Sequence, residues 1–262
     1  MTPETDQDPA PGSIRYVIRD GIRDAVAVEE PLEIRVDGKP VAVTMRTPGN
    51  DEELALGFLY GEGLINRPHP VGLTADFANN TVEVQGPLLR SPGSRNFYTS
   101  SSCGVCGKGA IAEVTVHSKP LTAWAGPLLA RARLAALPSG LRQPGFARTG
   151  GTHATGLFDP DGTLLAVRED VGRHNAMDKV VGWALGTGRL PLSGLILCVS
   201  GRLSFELVQK AAVAGAPVLV GVGAPSSLAI ELADARGLTL CGFARGESVN
   251  VYTGAQRVLN GD

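Results

Sequence analysis

The sequence is poor in several features that define large classes of protein. Four cysteines in 262 residues do not make the disulfide framework of a secreted protein. A formal net charge of −2 argues against a general nucleic-acid binder or membrane-surface binder. No apolar run approaches the roughly 18 residues that a membrane-spanning helix needs. These absences indicate a soluble globular protein, and a reducing cytoplasm is its expected setting.

What is present is typical of a globular chain with two modest domains. Apolar residues make up 43% of the sequence and charged residues 19%, which is an ordinary balance. Residues 1–13 are acidic and proline-rich and are predicted to form a disordered tail. A stretch at 118–126 with proline and glycine is the predicted boundary between an N-terminal α+β domain (14–126) and a C-terminal α/β domain (127–262).

A closely spaced pair of cysteines, Cys103 and Cys106, lies in the stretch SSSCGVCGKG. Glycine and serine surround both thiols, so the pair is predicted to lie in an exposed loop of the N-terminal domain. Sulfur or redox chemistry is the favoured interpretation, and a structural metal knuckle or an incidental pair are the alternatives. A structural zinc site needs four ligands. The remaining cysteines, Cys198 and Cys241, sit singly in apolar runs and are predicted to be core residues.

The residues before the cysteine pair predict strands around one helix. The predicted elements are a hairpin over 33–45 that turns at Asp37-Gly38, a helix from Glu52 that Asn50 or Asp51 caps, and a strand at 81–84. A further strand is predicted after the pair, at 112–116. Alternation of apolar and polar residues is the signal for the strands.

The second half of the chain predicts alternating strands and helices. The predicted elements are a helix over 127–137, a hairpin over 155–167, a helix over 174–185, strands at 195–199, 218–222 and 238–243, and helices from Ser204 and Ser226. Continuous apolar runs are typical of strands buried on both faces of a parallel sheet. The order of elements therefore predicts a three-layer α/β/α arrangement.

Ligands of open parallel sheets bind beyond the carboxyl ends of the strands. The polar residues that follow the predicted strands occupy 168–170, 200–202, 223–225 and 243–248. Arg202 and Arg245 can bind phosphate bidentately, and the helix starts at Ser204 and Ser226 attract anions. A site for a nucleotide or another phosphate-bearing ligand is favoured over a set of ordinary solvated loops. His153 and His174 are either structural or positioned for proton transfer and ligand orientation near Asp170.

The chain resembles the FdhD family of formate dehydrogenase accessory sulfurtransferases. The residues that carry the resemblance are SSCGVCGK (101–108), TGGTHATGLF (149–158), REDVGRHNAMDKVVG (168–182), SGRLSFELVQKAAVAGAPVLVGVGAPSSLAIELA (200–233) and LTLCGFARGESVNVY (238–252). The match extends from the N-terminal strands to the C-terminus. The resemblance implies a C-terminal domain with a fold similar to cytidine deaminases, and a homodimer.

The resemblance also implies a function and a set of site residues. Such proteins accept sulfane sulfur from a cysteine desulfurase and pass it to the Mo-bis(molybdopterin guanine dinucleotide) cofactor of formate dehydrogenase. The persulfide of the family falls on Cys103, with Cys106 as the second cysteine. The residues assigned to cofactor binding are Phe243, Ala244, Arg245, Gly246, Glu247, Ser248, Ser200, Gly201, Arg202, His153 and Asp170. GDP and GMP-like fragments are expected to mimic the cofactor.

Three other functions can be weighed against a sulfur carrier. A zinc deaminase needs a PCxxC segment at the second helix start. Residues 200–203 read SGRL there, so neither deamination nor a zinc ion is expected. A dithiol oxidoreductase would need its CxxC at a helix start, whereas this pair lies among glycines. A non-catalytic chaperone for the molybdenum cofactor would need only the predicted ligand site at the carboxyl ends of the strands.

Overall fold

The computed structural model describes residues 8–73, 80–91, 98–99, 121, 124 and 126–259. Cys103, Cys106 and the strand predicted at 112–116 lie outside the described residues. The predicted domain boundary at 118–126 lies largely outside them too. Within the described ranges, no helix is long and apolar enough to cross a membrane.

Within the described residues, the N-terminal part contains two sheets and one helix. The elements are β1 (Ile14–Arg19), β2 (Ile22–Ala27), β3 (Glu30–Val36), β4 (Lys39–Arg46), α1 (Asp51–Gly61), β5 (Val71–Leu73), β6 (Thr81–Val84) and β7 (Tyr98–Thr99). β1 and β2 form a hairpin of their own, and the other described strands form a sheet in the order β5-β6-β3-β4-β7. The predicted hairpin is confirmed, because Asp37 and Gly38 both adopt positive φ, at 47° and 75°, as its tight turn requires.

The C-terminal part is built on a sheet with the described strand order β10-β9-β11-β12-β13-β14. The strands are β8 (Leu129–Ala130), β9 (His153–Phe158), β10 (Leu164–Asp170), β11 (Ile196–Val199), β12 (Val218–Gly221), β13 (Thr239–Arg245), β14 (Ser248–Thr253) and β15 (Val258–Leu259). The helices are α2 (Arg131–Ala136), α3 (Pro144–Thr149), α4 (Arg173–Gly186), α5 (Phe205–Val213) and α6 (Ser227–Arg236). β11, β12 and β13 are parallel, as predicted, whereas β9 runs antiparallel to both of its neighbours.

Helices cover both faces of this sheet. Leu197 and Leu219 belong to one buried cluster, which they share with Met177 of α4, Leu207 of α5 and Leu232 of α6. Ile196, Cys198 and Val218 point the other way and pack with Leu134 of α2. Alternate residues of each strand thus enter different cores, as the pleat of a strand requires. The structure is a mixed α/β fold with several sheets.

Helix α4 is also the contact between the two parts of the chain. Its Leu185 joins the apolar cluster of the N-terminal sheet and α1. Where α1 crosses α4, a Cβ placed on Gly57 would overlap the Asp178 carbonyl, and one on Gly182 would overlap the Glu53 carbonyl. The two backbones therefore approach to a distance that only glycine permits.

Three predictions for helices and termini differ from the structure. Residues 8–13, predicted as disordered tail, are partly packed, and Ser13 is buried. Asn50 precedes α1 with φ 58° and makes no side-chain cap bond, and the other predicted cap, Asp51, pairs with Arg46 at 2.8 and 3.0 Å. The helix predicted from 127 begins at Arg131, because Leu129–Ala130 pairs as a strand with β15.

The close crossing of α1 and α4 at Gly57 and Gly182 gives the first testable expectation. Gly57→Ala should lower the free energy of unfolding by about 1–3 kcal/mol, the usual cost of overpacking. Gly186→Ala on α4 is the matched control, because nothing lies within 4 Å of a Cβ there. Urea unfolding of both variants measures the difference. A Gly57→Ala protein as stable as the control would show that the helices do not cross this closely.

Candidate functional site

The carboxyl ends of four strands lie along one side of the six-stranded sheet. β10, β11, β12 and β13 run in the same direction, so their carboxyl ends lie together with the first residues of β9 and β14. We call this the ligand edge. It is formed by His153, Asp170, 200–202, 223–225 and 243–248. The predicted convergence of these segments is confirmed by the strand directions.

Backbone hydrogen bonds join neighbouring loops of the ligand edge. The Gly223 amide donates to the Gly201 carbonyl at 3.0 Å, and the Phe243 amide donates to the Gly223 carbonyl at 3.3 Å. A Cβ on Gly223 would lie only 2.9 Å from the Arg202 Cα, so glycine is needed for this approach. The loops are therefore held in fixed relation to each other, unlike independent solvated loops.

Positive charge is concentrated at the starts of β9 and α4. Burial lowers the pKa of His153, and the positive charges of Arg173, His174 and Arg202 lower it further. His153 is therefore held neutral near pH 7. The Arg173 Nε is buried and has no hydrogen-bond partner among the described residues. An anion at this position would supply the missing acceptor and offset the clustered charge.

The His174 side chain contacts other side chains of the protein. Its Nε2 lies 3.0 Å from the Ser204 Oγ and 3.0 Å from the Glu206 carboxylate. The hydrogen bond to His174 lowers the pKa of Glu206. Ser204 also caps α5 by accepting from the Leu207 amide, as predicted. These contacts tie the start of α4 to the start of α5 and favour a structural role for His174.

Asp170 has a different position from the one expected of a ligand-binding residue. Its side chain is 0% exposed and lies 2.8 Å from the Lys179 ammonium. Both oxygens also accept backbone bonds, from Thr47 at 3.1 Å and from Gly172 at 2.8 Å. Its acceptors are occupied beneath the surface, so Asp170 supports the ligand edge from below, and its assignment to cofactor binding stays a prediction.

The segment 243–248 is a hairpin turn between β13 and β14. Arg245 pairs with Ser248 across the turn, and Arg245, Gly246, Glu247 and Ser248 are exposed. Phe243 is 49% exposed, whereas the Ala244 side chain is fully buried. The described geometry leaves the cofactor-binding assignment of this segment as a prediction.

Residues 200–202 differ in how accessible their side chains are. The Ser200 Oγ accepts from the Ala154 amide at 2.9 Å, which leaves its hydroxyl proton free to donate. Arg202 is exposed. A Cβ on Gly201 would lie 3.4 Å from the His153 Nδ1, so 201 lies directly beside His153.

The cysteines within the described residues are buried and hold their thiol protons tightly. Cys198 and Cys241 are both 0% exposed. Burial raises the pKa of the Cys198 thiol well above its usual range, and burial raises the pKa of Cys241 to about 12. Both are core residues, as predicted. Across the described ranges, no group of three or more His, Cys, Asp or Glu side chains could hold a metal ion.

Sequence reasoning missed three residues that shape the ligand edge. Arg173, Asn175 and Lys179 lie on the first two turns of α4. Asn175 is 8% exposed and Lys179 is 1% exposed. The available signal was a lysine and an asparagine inside an otherwise apolar helical period, next to the acidic pair Glu169-Asp170. A buried lysine needs a carboxylate partner.

Fold and edge together define a mixed α/β protein with clustered positive side chains at one end of its main sheet. The comparisons with known proteins place it more closely. The model of the FdhD/NarQ family matches residues 27–259. The chain belongs to this family, and the suspected resemblance is confirmed.

Relatives and a solved structure agree with this assignment. The chain is 51% identical to the sulfur carrier protein FdhD of Mycobacterium tuberculosis, over 90% of this chain and 92% of that protein. It is 52% identical to the protein of the same name from Streptomyces coelicolor, over 92% of this chain and 93% of that protein. A crystal structure described as a formate dehydrogenase accessory protein from Desulfotalea psychrophila matches with a TM-score of 0.72 and 28% identity, covering 94% of this chain and 97% of that chain.

The charge cluster predicts a titration that can be followed directly. The folded state binds the His153 proton more weakly than the unfolded chain, whose histidines have a pKa of about 6.5. His153 therefore costs stability as the pH falls through about 6.5, and this cost is absent at higher pH. Arg202→Gln should raise the pKa of His153, because one of the charges that lower it is removed. NMR titration of the His153 ring checks this.

The matched control for that titration is Arg133→Gln. Arg133 pairs with Asp161 at 3.3 Å, at the far end of β10 from the ligand edge. This substitution should leave the His153 titration unchanged. An unchanged or lower His153 pKa in Arg202→Gln would remove Arg202 from the cluster.

Proposed function

We propose that this protein is a sulfur carrier that delivers sulfur to the molybdenum cofactor of formate dehydrogenase. The observation that carries the proposal is the ligand edge, where Arg173, Arg202 and Arg245 accompany two capped helix starts in a chain of the FdhD/NarQ family. The names of the relatives support the sulfur-carrying role. Because the carrier accepts and donates a sulfur atom, we class it as a sulfurtransferase.

Cys103 is the proposed persulfide bearer and a cysteine desulfurase the proposed donor. The Cys103 thiolate attacks the terminal sulfur of the donor persulfide. The S–S bond of the donor breaks, its cysteine leaves as a thiolate, and the terminal sulfur with its proton becomes part of the Cys103 persulfide. The reaction exchanges one S–S bond for another and needs no external oxidant or reductant. The inert state of Cys198 and Cys241 supports the assignment to the CxxC pair.

Cys106 has a proposed part in release. Its thiolate can attack the Cys103 sulfur that bears the persulfide, expelling hydrosulfide and leaving a Cys103–Cys106 disulfide. The two electrons that reduce the terminal sulfur come from the two thiol sulfurs, so the step balances. A cellular dithiol or thiol reductant must then reduce the disulfide. Release before the acceptor is bound would waste sulfur, so this step belongs to delivery alone.

The acceptor is the Mo-bis(molybdopterin guanine dinucleotide) cofactor, treated as a bound substrate. Its pyrophosphate groups match the arginines and the N-termini of α5 and α6. The unpartnered Arg173 Nε supports this fit. The residues proposed to hold it are His153, 200–202 and 243–248, with Asp170 supporting them from below.

Three further proposals accompany this function. The two helix-covered faces of the six-stranded sheet support a three-layer unit of the cytidine-deaminase type. The partners are a cysteine desulfurase, the catalytic subunit of formate dehydrogenase and a second copy of this chain, in the cytoplasm. The chain is proposed to carry no zinc.

The two loop cysteines should behave unequally. Cys103→Ala should abolish loading of labelled sulfur and the activation of formate dehydrogenase. Cys106→Ala should leave loading intact and reduce delivery in part. Thermal melting of both variants controls for unfolding. Loading in Cys103→Ala would reverse or remove the assignment, and activation by a protein that lacks both cysteines would favour the non-catalytic chaperone.

Arg245 should contribute to nucleotide affinity. Arg245→Ala removes a charge-assisted contact worth about 1.5–3 kcal/mol, so GDP should bind about tenfold or more weakly in calorimetry. Arg133→Ala, at the opposite end of the sheet, is the matched control and should bind GDP normally. Unchanged GDP affinity in Arg245→Ala would place the guanine nucleotide elsewhere.

A further inference from the structure

The strand that leads into the CxxC segment is attached next to the ligand edge. β7 pairs with β4 in parallel, with Tyr98 opposite Val43 and Thr99 opposite Thr44. Cys103 follows Thr99 by four residues. At about 3.3–3.6 Å per extended residue, the Cα of Cys103 cannot lie more than about 14 Å from that of Thr99. The position of β4 therefore limits where the Cys103 thiol can act.

Asn175 connects β4 to the start of α4. Its Oδ1 accepts from the Thr44 hydroxyl at 3.2 Å. Its Nδ2 donates to the Met45 carbonyl at 2.7 Å and to the Asp170 carboxylate at 3.2 Å. Asn175 is 8% exposed, and both of its amide protons and its carbonyl oxygen are used. The side chain is thus committed to joining the N-terminal sheet to the ligand edge.

Asn175 lies where it can fix the start of α4, and with it the ligand edge, relative to β4. It is the third residue of α4, and Arg173 is the first. A Cβ on Gly201 would lie 3.7 Å from the Arg173 Cδ, so the start of α4 contacts the loop at 200–202. The other partner of Asn175, Asp170, is fixed by Lys179 at 2.8 Å. The chain of contacts runs from the strand before Cys103 to the proposed phosphate-binding residues.

We propose that Asn175 is a positioning residue that holds the attachment point of the Cys103–Cys106 segment beside the ligand edge. The inference rests on the proposed sulfur-carrier function and deepens it. Loading of Cys103 takes sulfur from an incoming protein and does not depend on the distance from Thr99 to the ligand edge. Delivery does depend on it, since the strand that precedes Cys103 and the proposed acceptor site lie on the two sides that Asn175 joins. A misplacement of about 1 Å can slow a reaction by as much as 10²-fold.

The first experiment measures proximity without sulfur transfer. In the full chain with Cys106→Ser, an Arg202→Cys thiol should form an intramolecular disulfide with Cys103 under mild oxidation, detected by peptide mass spectrometry. Thr163→Cys is the matched control, since the six residues of β10 beyond its start span about 20 Å and place 163 at the opposite edge. Adding Asn175→Ala should slow the Arg202→Cys cross-link about tenfold. A cross-link rate unaffected by Asn175→Ala, or equal at the two sites, would overturn the proposal.

The second experiment separates loading from delivery. Asn175→Ala should load labelled sulfur on Cys103 normally and deliver it about tenfold more slowly. Thr44→Val, which removes one of the hydrogen bonds, should show the same split to a smaller extent and guards against misfolding of Asn175→Ala. Thr239→Val is the control for lost stability, because it removes a buried hydroxyl that donates to the Gly254 carbonyl at 3.0 Å, and it should deliver normally.

The outcomes separate the two proposals. Failure of the unaltered protein to load sulfur would overturn the sulfur-carrier function. Normal loading together with equal delivery by Asn175→Ala and the unaltered protein would overturn only the positioning role. Equal slowing in Thr239→Val would show that general stability, and not position, limits delivery.

Discussion

The buried ion pair between Asp170 and Lys179 is the constraint on which the arrangement of the two sheets depends. Two charges removed from water cost several kcal/mol each unless they are paired and hydrogen-bonded. Here the pair is closed by the N-terminal part of the chain, because Lys179 donates to the Thr47 carbonyl at 2.9 Å and Asp170 accepts from the Thr47 amide at 3.1 Å. Each charge gains a further hydrogen bond only when the segment after β4 lies against the start of α4. The pair therefore helps to fix one sheet to the other, together with the hydrogen bonds of Asn175 and the close crossing of α1 and α4 at Gly57 and Gly182.

This constraint explains how several positive groups can share the ligand edge. Arg173 and Arg202 lie near His153, and burial together with these charges keeps the imidazole neutral. The carboxylate of Asp170 lies beneath them and is paired with Lys179, so it offsets their charge at His153 only in part. A cluster of positive groups at this edge favours an anionic ligand.

The sequence predicted correctly those elements that depend only on residues close to them in the chain. Asp37-Gly38 turned the hairpin and Gly237 ended α6 with φ 67°, because each needs only its own backbone conformation. Predictions failed where a distant partner decided the outcome. The Asp51 carboxylate pairs with Arg46, and Leu129–Ala130 pairs as a strand with β15. Asp170 lies at the ligand edge, as its sequence position implied, but Lys179, Thr47 and Asn175 bury it, and no spacing rule reveals those contacts.

The division of the chain into two sheets suits a carrier that must meet two different molecules. A thiol built into the ligand edge would be covered whenever the acceptor was bound, and it could not then be reloaded. Under the proposed function, the attachment of β7 to the N-terminal sheet would separate the place of loading from the place of delivery. The cost of that separation is a variable distance between thiol and acceptor, which a covalent reach of about 14 Å alone does not fix. Under the proposed positioning role, the hydrogen bonds from Asn175 to β4 fix the strand that pairs with β7, from which the chain continues to Cys103.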